Sequence, residues 1–197
     1  MSRVIVAYAS RMGSIREIAE VVADELRQTD HTVTIAPCSA APDAAGFDAA
    51  IIGSALYGRR WMPDADHYVR RQARHLTNRP TYLFQSGPCR VATPGVTPMA
   101  SPRAVRRIIR RAGLADPVTF SGRIDPTQPP TWRLTRSNAT SVASGDFRDW
   151  NVIRAWGYAI GIDIHDCLDR RRSCITAGTA QSGTCTPTTD PTGETTR

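Results

Sequence analysis

The chain contains no lysine, so all 25 of its basic residues are arginine. That absence excludes Schiff-base and lysine-nucleophile chemistry, and it excludes a Walker A phosphate loop, which ends in Gly-Lys. Aromatic residues are scarce at 7% and do not interleave with the arginines, which points away from a nucleic-acid platform. Five cysteines, an odd number without a C-x-x-C pair, suit reduced thiols and give neither a disulfide frame nor a zinc site. No apolar run reaches the length of a membrane span, and the N-terminus lacks the charged-then-apolar layout of a signal peptide, so a soluble cytoplasmic protein is expected. Acidic residues number only 18, leaving a formal charge of +7 that favours anionic partners: carboxylate-bearing substrates, acidic proteins or anionic lipid.

What is present amounts to one domain of ordinary size, 197 residues with 41% hydrophobic content. Its organising stretch runs from Val4 to Ala19. Val4 to Tyr8 is uniformly apolar, as a strand covered on both faces must be, while Ile15, Ile18, Ala19, Val22, Ala23 and Leu26 recur at helical spacing. Between them lies Ser10-Arg11-Met12-Gly13-Ser14. A helix start leaves backbone N–H groups unpaired beneath the positive end of its dipole, so hydroxyls and a glycine there form an anion site. An ordinary capped turn has the same composition, and both readings stand on position alone. The dinucleotide fingerprint needs three spaced glycines and is absent.

Farther along, Thr32–Ala36 alternates like an edge strand and Ala49–Gly53 reads as a central strand. The turn Ser54–Met62 follows, and Pro63-Asp64 opens a helix with Ala65, Val69, Ala73 and Leu76 inward. Thr81–Gln85 is the fourth strand, ending at Ser86-Gly87-Pro88-Cys89-Arg90. Ser101-Pro102 caps a helix whose outer face is Arg103, Arg106, Arg107, Arg110 and Arg111, either a solubilising face or a docking surface. Pro117–Ile124 reads as a fifth strand, 125–145 as a long Pro/Ser/Thr-rich connection, and Gly145–Trp150 as the start of a terminal helix with Val152, Ile153, Trp156 and Ile160 inward. The Thr/Ser/Gly/Pro-rich segment 167–197 reads as a disordered tail, which sets a domain at 1–166.

Ser10-Arg11-Met12-Gly13-Ser14-Ile15 resembles the flavodoxin phosphate loop, Ser/Thr-x-Thr-Gly-x-Thr, with Met12 and Ile15 replacing two threonines and removing their hydroxyls. The stretch from Asp48 to Arg71 resembles the second flavin loop of menaquinone-dependent protoporphyrinogen dehydrogenases and related flavodoxin-domain oxidoreductases. Ser86–Arg90 resembles their third loop, and Gly-Asp-Phe-Arg-Asp-Trp at 145–150 their terminal helix. The resemblance covers about residues 3–162. It implies a flavodoxin-like doubly wound α/β fold, a five-stranded parallel sheet of order 2-1-3-4-5, with FMN at the three loops.

In that family likeness Ser10, Arg11, Met12, Gly13, Ser14 and Ile15 meet the phosphate. Ser54, Ala55, Leu56, Tyr57, Gly58 and Trp61, with Ser86, Gly87, Pro88 and Cys89, surround the ring. Tyr57 and Trp61 either stack on the flavin or cover the adjacent helix; Gly58 tolerates the peptide turnover that meets flavin N5. Arg59, Arg60 and Arg90 either bind substrate carboxylates or are plain surface charge. No side chain is required as acid or base, because the cofactor carries the chemistry. The implied function is an FMN oxidoreductase passing hydrogen from a reduced, carboxylate-bearing substrate to a quinone or a redox partner protein, with peripheral contact at the inner face of a membrane left open. The alternatives are a non-catalytic electron carrier and a relative whose FMN binding is weakened.

Overall fold

The computed structural model describes residues 1–87, 101–124 and 145–180, with side chains given up to residue 173. Strand β1 (Ser2–Ala9) enters the sheet centre with Val4, Ile5, Val6 and Ala7 fully buried. A strand covered on both faces needs no alternation, and none is seen. Helix α1 (Ser14–Gln28) follows, then β2 (His31–Pro37), a single 3-10 turn, β3 (Ala49–Tyr57), β4 (Arg60–Trp61) and α2 (Pro63–Leu76). Next come β5 (Thr81–Gly87), α3 (Arg103–Arg111), β6 (Val118–Ser121), β7 (Arg123–Ile124), β8 (Gly145–Asp146) and α4 (Trp150–Ala180).

Five strands pair in parallel in the order β2-β1-β3-β5-β6, which is the expected 2-1-3-4-5 once the two-residue β4 is set aside. Helices α2 and α3 cover one face over Ile5, Ile52, Tyr68, Val69, Val105 and Ile109. Helix α1 and the start of α4 cover the other over Val4, Val6, Ile18, Val22, Phe84 and Ile153. The sheet is thus dry on both sides, as parallel strands require. No helix among the described residues is long and apolar enough to cross a membrane.

Three expectations change. The turn after the third strand is a β-hairpin: β3 continues to Tyr57 and pairs antiparallel with β4, Leu56 opposite Trp61 and Tyr57 opposite Arg60. Gly58 and Arg59 form its two-residue loop, both with positive φ (54° and 60°), the backbone that a type I′ turn demands. The fifth strand breaks at Gly122, where an added Cβ would lie 2.7 Å from Ser86 Oγ; β7 beyond it pairs with β8 in a separate antiparallel stem, Arg123 opposite Asp146. Helix α4 does not stop near Asp166 but runs on to Ala180, into the stretch expected to be tail. Helix propagation from an anchored body costs little, and no glycine or proline intervenes between Gly161 and Gly178. The connection 125–144 and the tail 181–197 lie outside the described residues.

Candidate functional site: the loops at the carboxyl edge

Parallel pairing puts Ala9 beside Ser54 and Ala55 beside Ser86, so the segments leaving β1, β3 and β5 emerge side by side at one edge of the sheet. Ligands of open α/β sheets sit at that edge, where the chain reverses its direction of winding. Of the third segment, Ser86 and Gly87 are described and buried; Pro88, Cys89 and Arg90 lie outside the described residues.

The first segment has the features of an anion site. Gly13 adopts the left-handed conformation (φ 82°), supplies no capping side chain, and its carbonyl takes the first helical bond, from Glu17 N–H at 3.0 Å. The N–H groups before Glu17 have no intrahelical partner. Ser14 Oγ is buried and has no hydrogen-bond partner, alone in this among the described side chains. A buried hydroxyl without a partner costs about 1–3 kcal/mol, and a phosphate at the helix start would satisfy it. Ile15 is 1% exposed and packs in the core beneath α1, so its side chain is directed under the helix; Met12 and Ser10 are half-buried and Arg11 is exposed.

Two arginines absent from the sequence-level site brace this loop. Arg123 donates to Met12 O (3.3 Å) and Glu17 Oε1 (3.0 Å). Arg148, whose side chain is 1% exposed, donates to Ser14 O (3.1 Å), Glu17 Oε2 (2.6 Å) and both oxygens of Asp146 (2.8 and 2.5 Å), and it stacks 4.3 Å above the Trp150 ring. The hydrogen bond from Arg148 holds the Asp146 carboxyl below its ordinary range. Glu17 shows no periodicity break and Arg148 sits in a polar hexapeptide, so only the Gly-Asp-Phe-Arg-Asp-Trp likeness could have pointed to them.

In the second segment, strand alternation separates the two aromatics. Tyr57 and Arg60 share one face of the hairpin while Leu56 and Trp61 share the other. Trp61 is 5% exposed in the core, and its Nε1–H donates to Gln85 Oε1 at 2.9 Å, so its ring covers the helix and does not face the ligand edge. Gln85 in turn donates to Ser101 Oγ (3.3 Å) and Thr119 Oγ1 (2.9 Å), a satisfied buried amide that ties β4, β5, β6 and the approach to α3 together under the site. Tyr57 stays half-buried at the rim; burial raises its pKa, and Arg11 from the first segment opposes the shift, so the two segments face one another. Ser54 is fully buried, accepting from Met62 N–H (3.0 Å) and donating to Ala55 O (3.1 Å), which staples the hairpin to the start of α2. Ala55 and Leu56 are half-buried, and Gly58, Arg59 and Arg60 are exposed at the tip. Cys38, just past the end of β2, is 3% exposed and burial pushes its thiol up to about 12, which leaves it unreactive.

Comparison with known proteins adds sequence and shape. Residues 5–97 match the family model described as a flavodoxin domain. Among curated proteins none matches this chain. A flavodoxin from the domain Archaea superposes with a TM-score of 0.56 at 13% identity, over 83% of this chain and 99% of that one. A flavodoxin from Bacillus cereus gives 0.51 at 16% identity, over 82% and 98%. The rubredoxin oxygen:oxidoreductase of Desulfovibrio gigas gives 0.54 at 14% identity over 84% of this chain but 37% of its own, so the present chain spans little more than a third of that protein. The sheet order, the loop at the start of α1 and the match over residues 5–97 agree on a flavodoxin-like fold, and the likeness to a flavodoxin domain indicates FMN as the cofactor.

Proposed function

We propose that this protein is an FMN-dependent oxidoreductase that takes hydrogen from a small reduced substrate bearing carboxylates and passes it to a quinone-type acceptor, protoporphyrinogen being the substrate that the sequence resemblance implies. The observation that carries the FMN part is the uncapped start of α1 with the unpartnered Ser14 Oγ beside left-handed Gly13. Bound FMN would supply the redox chemistry, and the chain's own groups would place it. Ser10, Gly13 and Ser14 with the free N–H groups of the first turn suit the phosphate; Tyr57, Gly58, Ser86 and Gly87 would border the ring. Arg59 and Arg60 are exposed at the hairpin tip, which supports a role in gripping substrate carboxylates.

The test is turnover of protoporphyrinogen with a menaquinone analogue by protein reconstituted with FMN. Exposed ion pairs contribute up to about 1 kcal/mol each, so Arg59→Ala with Arg60→Ala should raise KM roughly five- to thirtyfold while FMN content stays unchanged. FMN-loaded wild type that turns over no porphyrinogen with any quinone, yet reduces a carrier protein, overturns the enzyme reading in favour of an electron carrier.

A further inference from the structure

Arg148 contacts the phosphate loop from 134 residues away in sequence, and Arg123 from 111, one on each side of Gly13. Both hold loop carbonyls: Met12 O and Ser14 O. In a planar trans peptide the N–H points opposite to its C=O. Drawing Met12 O and Ser14 O toward the guanidiniums therefore turns Gly13 N–H and Ile15 N–H the other way, out of the arginine cluster. The charges of the cluster cancel, two arginines against Glu17 and Asp146, so it supplies orientation and adds no net attraction for an anion. Arg148 is also spent as a ligand: Nε, Nη1 and Nη2 are all engaged, and its side chain is 1% exposed.

We propose that Arg148, seconded by Arg123, is a positioning residue of the phosphate loop: it fixes the peptide planes on both sides of Gly13 so that their N–H groups converge on a phosphate. The role rests on the FMN reading and deepens it. It also explains how a loop with Met12 and Ile15 in place of two hydroxyl residues keeps an anion site: backbone donors held rigid replace side-chain donors that are missing. Preorganised donors cost no ordering on binding, and this is the advantage that rigidity confers. The stem β7–β8 delivers the clamp, because Arg123 and Asp146 are cross-strand partners and Arg148 is two residues beyond.

The experiment compares FMN with riboflavin, which lacks the phosphate. Arg148→Lys keeps the charge but loses the fork. It should weaken FMN binding about tenfold and leave riboflavin binding within twofold. Asp146→Asn combined with Arg148→Met, which removes the buried guanidinium together with its carboxylate partner, should do the same and guards against failure to fold through an unpaired charge. Equal loss for both ligands, or none for either, overturns the proposal. Wild type that binds riboflavin and FMN equally, or neither, sinks the FMN reading instead. The clamp is still decided then by amide exchange in the ligand-free protein, where Glu17 N–H, bonded to Gly13 O, should exchange about tenfold faster in Arg148→Lys; an unchanged rate overturns it.

Discussion

Replacing Ser14 with alanine should move stability and FMN affinity in opposite directions. In the ligand-free protein Ser14 Oγ is buried with no partner, so its removal relieves a desolvation cost of about 1–3 kcal/mol and loses no hydrogen bond. For a chain of this size each kcal/mol moves Tm by about 2–4 °C, and alanine is also a better helix former than serine, so Tm should rise by roughly 2 °C or more. With FMN bound the same hydroxyl would donate to a charged phosphate, a bond worth about 1.5–3 kcal/mol, and its loss should raise the FMN Kd roughly ten- to a hundredfold. Thermal melts of the flavin-free protein and a fluorescence titration with FMN read the two effects separately. A lower Tm together with an unchanged Kd would show that Ser14 Oγ has a structural partner and does not face the phosphate.

Trp61→Phe keeps the buried ring but strands Gln85 Oε1, so it should cost about 1–3 kcal/mol in urea unfolding while FMN affinity stays within twofold; affinity loss without destabilisation would place the indole at the flavin after all. His31 is 2% exposed, stacked 4.2 Å from His165, bonded to Ser2 Oγ (2.6 Å) and Gly161 O (2.9 Å), and burial lowers its pKa, with His165 and the N-terminus adding to the shift and the Gly161 hydrogen bond and Asp30 opposing it. A histidine whose folded pKa is depressed contributes stability that is complete above its unfolded value of about 6.5 and is lost as pH falls through the folded value. Tm should therefore drop between about pH 7 and 5, and His31→Gln should flatten that slope; equal slopes in the two proteins refute the assignment.

The fold was legible because its signals are local. Apolar runs at Val4–Ala7 and Ala49–Ile52 and the 3.6-residue rhythm of Ile15, Ile18, Val22 and Leu26 are properties of neighbours in sequence, and they mark the strands and helices found, while the sheet order came with the flavodoxin resemblance. The hairpin was misread because a two-residue strand such as β4 carries no pattern of its own; once it pairs, the period of two sends Trp61 inward and leaves Tyr57 at the rim. Gln85 ended a strand and gave no sign that its amide would join four elements. Arg148 and Glu17 are invisible for a different reason: charged residues normally mark solvent, and only a tertiary contact across 131 residues makes this pair structural. The strand ends at the carboxyl edge were therefore readable, and the side chains that brace the loops beyond them were not.

Helix α4 begins beside the phosphate loop, where Asp149 Oδ1 accepts from Asn151 N–H and Val152 N–H, and reaches the opposite edge of the sheet at Gly161 and His165, which touch His31 and Thr29. Those attachments are eleven to fifteen residues beyond Trp150, about 17–23 Å along a helix axis, comparable to the height of β1 at about 26 Å. The helix thus acts as a gauge rod set across the full depth of the sheet. Its fit admits no sliding, since Gly161 leaves no room for a side chain against Thr29, where a Cβ would stand 2.2 Å from Oγ1. A displacement of one residue, about 1.5 Å, would break the histidine contacts at one end and misplace the arginine clamp at the other. The spacing within this one helix therefore ties the geometry of the phosphate loop to the far edge of the domain.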